Sequence, residues 1–151
     1  MYASEDNEKM GLFLLNLESF PKQGIVGAPT LSLHLTVDTV SDQAHGMAVV
    51  TQALEQPIVC RSSVSGNVIY ETVMSPGESK IRIDLTGYPE IHWPSHGGIG
   101  PVMPKNFKAM VLLDSDWKNG TVVYQYLTYA GWQSVSQGIA IVENKVLVSN
   151  N

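Results

Sequence analysis

The sequence predicts an all-β protein, an antiparallel two-sheet β-sandwich of about nine short strands with one long irregular loop. Three observations carry that expectation. Between residues 31 and 37 apolar residues alternate with Ser32, His34 and Thr36, the period of two that marks a half-buried strand. Pairs such as Ser65-Gly66, Pro76-Gly77, Asn119-Gly120 and Ala130-Gly131 punctuate the chain with residues that accept a positive φ or preset a turn. No helix-length stretch shows an apolar stripe at helical spacing with a cap before it and a glycine after it. A sandwich is preferred to a barrel because nine strands with one long excursion pack more readily as two sheets than as a closed cylinder.

Taken in order, residues 1–9 are polar and acidic and read as a flexible tail, leaving 10–151 as a single β-sandwich domain. Runs rich in β-branched and aromatic residues at 11–20, 31–37, 46–53, 58–64, 68–74, 80–86, 107–114, 121–129 and 132–142 supply the strands. Residues 87–106 break the pattern with repeated proline and glycine, so they form neither a helix nor a ladder strand. A connection of that length inside a compact domain is usually functional or disordered. Its Ile91, Trp93, Ile99 and Met103 argue that it packs on the sandwich.

Composition narrows the function. The chain has 151 residues, enough for one domain with a real core, and 44% of them are hydrophobic. Only 15% are charged and the net charge is -5, so nine Lys plus Arg scattered along the chain make no basic stripe for phosphates. Nucleic acid is therefore excluded as a partner. A lone Cys60 forms no internal disulfide, which fits a reducing compartment. The start of the chain lacks the basic and apolar regions of a secretory signal, and no apolar run approaches the ~20 residues of a transmembrane helix. These features predict a soluble cytoplasmic protein without a transmembrane segment, with signal-independent release left open.

Two stretches carry a resemblance. Residues 27–37, reading Gly-Ala-Pro-Thr-Leu-Ser-Leu-His-Leu-Thr-Val, and residues 87–101, centred on Tyr88-Pro89-Glu90-Ile91-His92-Trp93-Pro94, resemble a bacterial family of uncharacterised domains, the eighteen-forty-two domain of unknown function. The resemblance covers most of the chain beyond the acidic tail. It implies a bacterial source and no known activity, and it carries over no catalytic residue.

Several constellations invite chemistry. Glu90, His92 and His96 offer imidazole and carboxylate donors of the kind transition metals accept. Pro94 forbids the helical face that would align two histidines, so the plainer reading has His92 and Trp93 packing under the loop and His96 tethering a turn. His96-Gly97-Gly98 superficially matches an esterase oxyanion loop, but no Gly-x-Ser-x-Gly elbow accompanies it. The glycines of this loop also miss the spacing of a nucleotide-binding turn. Residues 114–120 begin like a calcium loop, yet Lys118 sits at the third donor position and no closing acid follows until Glu143, so a hairpin turn bonded by its own Asp and Asn side chains explains them better. Asn119-Gly120-Thr121 is formally a glycosylation sequon, and without a signal it too reads as turn chemistry.

All three tryptophans, Trp93, Trp117 and Trp132, fall in or beside predicted loops. Such residues either stack on ligands or cap the ends of the sandwich, with Tyr70, Tyr124 and Tyr126 in cross-strand pairs. Cys60 reads as an inert strand thiol, and His34 and His45 as solvent-facing. The sequence thus predicts a binding or assembly module without enzymatic activity or cofactor. Its ligand surface combines Tyr88, Glu90, His92, Trp93 and His96 of the 87–106 loop with Trp117, and its partner is a protein or a second copy, as in a homo-oligomer. Two other readings follow from the same residues: a toxin-like component whose loop tryptophans settle on membrane or glycan, and a metal-dependent enzyme at Glu90, His92 and His96.

Overall fold

The computed structural model describes residues 11–21, 27–52, 58–71, 80–89 and 104–149. These residues form eight antiparallel strands: β1 (Gly11–Phe20), β2 (Thr30–Asp38), β3 (Gln43–Thr51), β4 (Ile58–Glu71), β5 (Lys80–Pro89), β6 (Phe107–Asp114), β7 (Asn119–Thr128) and β8 (Gly131–Ser149). Each strand pairs with the next, and β8 returns to pair with β1. The fold is a closed up-and-down barrel, which corrects the two-sheet sandwich.

Two local features account for the difference. The run at 58–64 and residues 68–71 of the next run belong to one 14-residue strand, Ser65-Gly66 lies in its middle instead of in a turn, and 72–74 lie outside the described residues. A Cβ on Gly66 would stand 1.5 Å from the Asp84 carbonyl oxygen, so glycine here lets β5 cross closely as the sheet coils. Gly46 plays the same part against the His34 carbonyl oxygen at 1.9 Å. At the other end of the chain β8 is 19 residues long and does not stop at Val142. Its first half pairs with β7 and its second half with β1, passing two register shifts opposite Asn16/Leu17 and Leu12/Phe13. Joining two runs into one strand and extending the last one leaves an even number of strands whose two edges meet.

The strands are steeply staggered. Lateral pairing from Gln137 passes through Val122, Val111, Ile83 and Val68, continues by the Val68 N–H bond to the Asp42 carbonyl, and comes back through Asp38 and Leu12 to β8 at Val148. Stagger of this kind tilts the strands, and an eight-stranded barrel is then just wide enough for side chains to fill. Phe13, Leu15, Leu17, Leu31, Leu33, Leu35, Val37 and their counterparts on the other strands point inward and form one continuous core. Outward positions of β2 are Thr30, Ser32, His34, Thr36 and Asp38. This polar-out alternation is the reverse of the lipid-facing pattern of transmembrane barrels. No helix among the described residues is long and apolar enough to cross a membrane.

Because the strands run up and down, the connections after β1, β3, β5 and β7 leave from one end and those after β2, β4 and β6 from the other. The 87–106 segment belongs to the first end and the Trp117 turn to the second. Gly87, Tyr88 and Pro89 of the expected irregular loop are part of β5, and residues 90–103 lie outside the described residues.

Candidate functional site at the loop end of the barrel

The interior of the loop end is polar where the rest of the core is apolar. Ser19, near the end of β1, donates from its hydroxyl to the Gln137 Oε1 on β8 at 2.7 Å, and the Tyr124 hydroxyl on β7 donates to the same oxygen at 3.0 Å. Gln137 Nε2 donates to the Pro29 carbonyl at 2.7 Å, and the Leu31 N–H donates to Ser19 Oγ at 2.8 Å. The network ties the start of β2 to three strands, with Gln137 using both ends of its amide. Tyr124 stacks beside Phe107 at 6.2 Å and lies 6.0 Å from the Tyr126 ring. Burial pushes the Tyr124 phenol well above its ordinary range, with the neighbouring Tyr126 adding to the effect. Tyr126 is raised as well, first by burial and then by Cys60.

Beside this network, Asn106 fixes the point where the 87–106 segment rejoins the barrel. Its backbone N–H donates to the Gly87 carbonyl at 2.9 Å, and its own carbonyl accepts the Leu127 N–H at 3.0 Å. Its side-chain oxygen accepts the Ser62 hydroxyl at 2.6 Å, and its Nδ2 donates to the Arg61 carbonyl at 3.3 Å. Cys60 faces inward, with its sulfur 3.6 Å from both Ser62 Oγ and the Asn106 carbonyl oxygen. Around Ser62 and Cys60 the described partners are amide and hydroxyl groups. Among the described residues neither contacts a side chain of the general-base type that nucleophilic catalysis uses. Chemically this is a rigid polar floor that positions a segment and a rim.

The rim is aromatic. Tyr88 of β5 is exposed, Tyr129 in the β7–β8 turn is fully exposed, and Trp132 at the start of β8 is 43% exposed beside Leu127. The Lys108 ammonium lies over the Trp132 ring, 5.7 Å from its centroid. The turn expected at Ala130-Gly131 is present, and Gly131 takes φ 102 to make it.

Of the residues expected to bind ligand, Tyr88 lies on this rim, whereas Glu90, His92, Trp93 and His96 lie outside the described residues. Trp117 is not beside Tyr88. It sits in the turn between β6 and β7 at the opposite end, only 3% exposed, with its ring edge-on to Phe13 at 5.2 Å and near Tyr70 at 6.4 Å. The turn around it is bonded locally, the Trp117 N–H donating to the Asp114 backbone carbonyl and the Lys118 N–H to the Asp116 side-chain Oδ1. Asn119-Gly120 begins β7 and is not itself the turn. His34 and His45 are exposed, as expected, and His34 Nδ1 is 3.2 Å from Asn16 Oδ1. Among the described residues no three His, Cys, Asp or Glu side chains gather as metal ligands.

A family described as "Domain of unknown function (DUF1842)" matches the chain over residues 10–132. The chain belongs to this family. No curated protein is similar to it. In this DUF1842 chain the match runs through β1 to β7 and stops two residues into β8, so the strand that closes the barrel lies almost wholly beyond it. Residues that sequence reasoning passed over, Asn106, Gln137 and Tyr129, are polar or turn residues whose roles depend on neighbours distant in the chain. The two apolar residues flanking the Ala130-Gly131 turn, Leu127 and Trp132, were the one local sign of a rim.

Proposed function

We propose that this DUF1842 protein is a non-enzymatic binding module whose recognition surface is the loop end of the barrel, and that its partner is a protein. The observation that carries this reading is the concentration of exposed Tyr88, Leu127, Tyr129 and Trp132 at the end from which the 87–106 segment emerges. Tyrosine and tryptophan anchor protein interfaces because they bury large area at low entropic cost and keep a polar tip for hydrogen bonds. The rigid floor beneath them supports a fixed surface, and Lys108 at its edge favours an acidic or neutral partner face.

A photo-crosslinking residue at position 129, set against one at Val40 on the opposite end, tests the proposal in the producing cell. A discrete partner captured from 129, absent from 40 and lost in Trp132→Ala is the expected result. No discrete product from 129 would sink it. A thermal-shift panel with simple sugars, lipid headgroups and divalent metals separates the other readings, because a ligand of the native state at about 100 times its Kd adds ~2.7 kcal/mol.

A further inference from the structure

We propose that the second half of β8 pairs antiparallel with the same segment of a second copy, in the register that sets Asn144 opposite the partner's Asn144. The proposal stands apart from the rim at the loop end and does not depend on it.

The barrel is closed, but β8 is longer than the neighbour on one of its sides. Its pairing with β7 ends at Ala140 opposite Asn119, and one further bond joins the Ile141 N–H to the Lys118 carbonyl. Beyond that, the strand pairs only with β1 among the described residues. The direction of its backbone groups follows from β1. Gly11 gives its carbonyl to the Thr39 N–H on the β2 side, so by the two-residue alternation Leu14 and Asn16 turn theirs to β8, opposite Lys145 and Glu143. Asn144 and Val146 therefore turn N–H and C=O to the other edge. An edge of this kind is a template for another strand.

The sequence on this edge is self-complementary. Residues 142–146 read Val-Glu-Asn-Lys-Val. With Asn144 on the two-fold axis, Glu143 lies opposite the partner's Lys145 and Lys145 opposite the partner's Glu143. A slip of two residues either way sets Glu143 against itself or Lys145 against itself, and like charges directly opposite are destabilising. Val142, at 67% exposure, and Val146 and Leu147 are apolar side chains left open on this stretch.

A second, independent observation concerns Asn144 itself. Its Oδ1 is buried without a hydrogen-bond partner, the only such side-chain atom among the described residues. A buried acceptor left without a donor is destabilising. Strand pairing on the two-fold axis brings the partner's Asn144 amide beside this side chain, and a turn of the amide toward the open edge exposes Oδ1 to that donor, reciprocally in the two copies. One strand pair is small beside the ~1,200–2,000 Å² of a standard interface, so association is expected to depend on concentration. Because the edge is remote from the aromatic rim, the dimer presents two loop ends, and avidity for a multivalent partner follows.

Sedimentation equilibrium of the full chain tests this. Wild type is expected to pass from one to two protomer masses across a micromolar concentration series. Glu143→Lys and Lys145→Glu each set like charges opposite one another and are expected to weaken the dimer tenfold or more. An equimolar mixture of the two, or the double swap in one chain, restores it. Circular dichroism shows whether each variant is folded. Should Glu143→Lys fail that control because it loses the Asn16 Nδ2 bond to Glu143, Lys145→Glu alone and the double swap still decide. A wild type that stays monomeric, single variants that dimerise as wild type does, or a charge swap that restores nothing would each overturn the proposal. Tyr129→Ala and Trp132→Ala leave the mass unchanged, so loss of partner capture and loss of the dimer are read separately.

Discussion

Trp117 and Trp132 occupy turns or turn edges at opposite ends of one barrel and have opposite fates. Trp117 holds a left-handed backbone, φ 64, that costs a bulky residue roughly 1–2 kcal/mol, and in exchange its indole closes one end of the core against Phe13. Trp132 lies in extended β8 with its ring half outside and the Lys108 ammonium over it. The comparison shows that a tryptophan beside a turn is not in itself a recognition residue. One end of this barrel is stoppered by its own side chain, and the other carries its aromatic residues outward around a satisfied polar network.

The largest test of that contrast is Trp117→Ala. Removing a buried indole typically costs 3–5 kcal/mol, here offset by about 1 kcal/mol at most from the easier left-handed backbone of a smaller residue. The urea midpoint should fall accordingly, and an unchanged midpoint would mean that the end is not stoppered. Next in size is an alkaline effect confined to the loop end. The Tyr124 and Tyr126 phenols titrate higher in the fold than the ordinary ~10. Below that pH they are neutral in both states and their contribution is intact. As pH rises past ~10 the unfolded chain ionises first and stability is progressively lost. Tyr124→Phe should lower stability at neutral pH by about 1 kcal/mol through its lost bond to Gln137, yet flatten the alkaline decline. A decline of equal slope in wild type and variant would refute the assignment.

Trp132→Ala comes third. Exposed substitutions away from special features stay within about 0.5 kcal/mol, so this variant should melt near wild type while losing the proposed partner. The smallest effect belongs to Asp38, at the stoppered end. Its carboxylate is held below the usual range mainly by the Val40 N–H at 2.9 Å. A depressed pKa contributes stability above the unfolded value and loses it as pH falls through the folded one. Asp38→Asn should therefore lower stability slightly at neutral pH, and the difference from wild type should vanish as pH falls through the folded value, as urea unfolding at neutral and at acid pH would show.

Much of the barrel is legible in local pattern. The alternation at 31–37 falls within β2, the run at 107–114 coincides with β6, and the segments at 11–20 and 80–86 mark β1 and most of β5. Period two is a property of the extended backbone itself, since successive side chains point to opposite faces whatever the neighbours are. The same reasoning assigns Cys60 to a strand and sets a turn within residues 114–120, where 115–118 form it while Asp114 ends β6 and Asn119-Gly120 open β7. The site is legible only in part. Tyr88 is found on the rim, whereas Asn106 and Gln137 owe their roles to bonds with partners as far away in the chain as Ser62, Pro29 and Ser19.

Closure itself belongs to the tertiary structure. A glycine after a serine looks the same in a turn as in a coiled strand, and only the approach of the Asp84 carbonyl distinguishes Gly66. The stretch Glu143-Asn144-Lys145 reads as a polar end to a strand, but opposite Asn16, Leu15 and Leu14 it continues β8 and joins the last strand to the first. Local chemistry decides which residues are extended and which face is apolar, because those depend on backbone sterics and on alternation. Sandwich or barrel, and which end each turn occupies, depend on pairings between residues more than a hundred positions apart and on the stagger they accumulate. No short stretch of the chain contains that information.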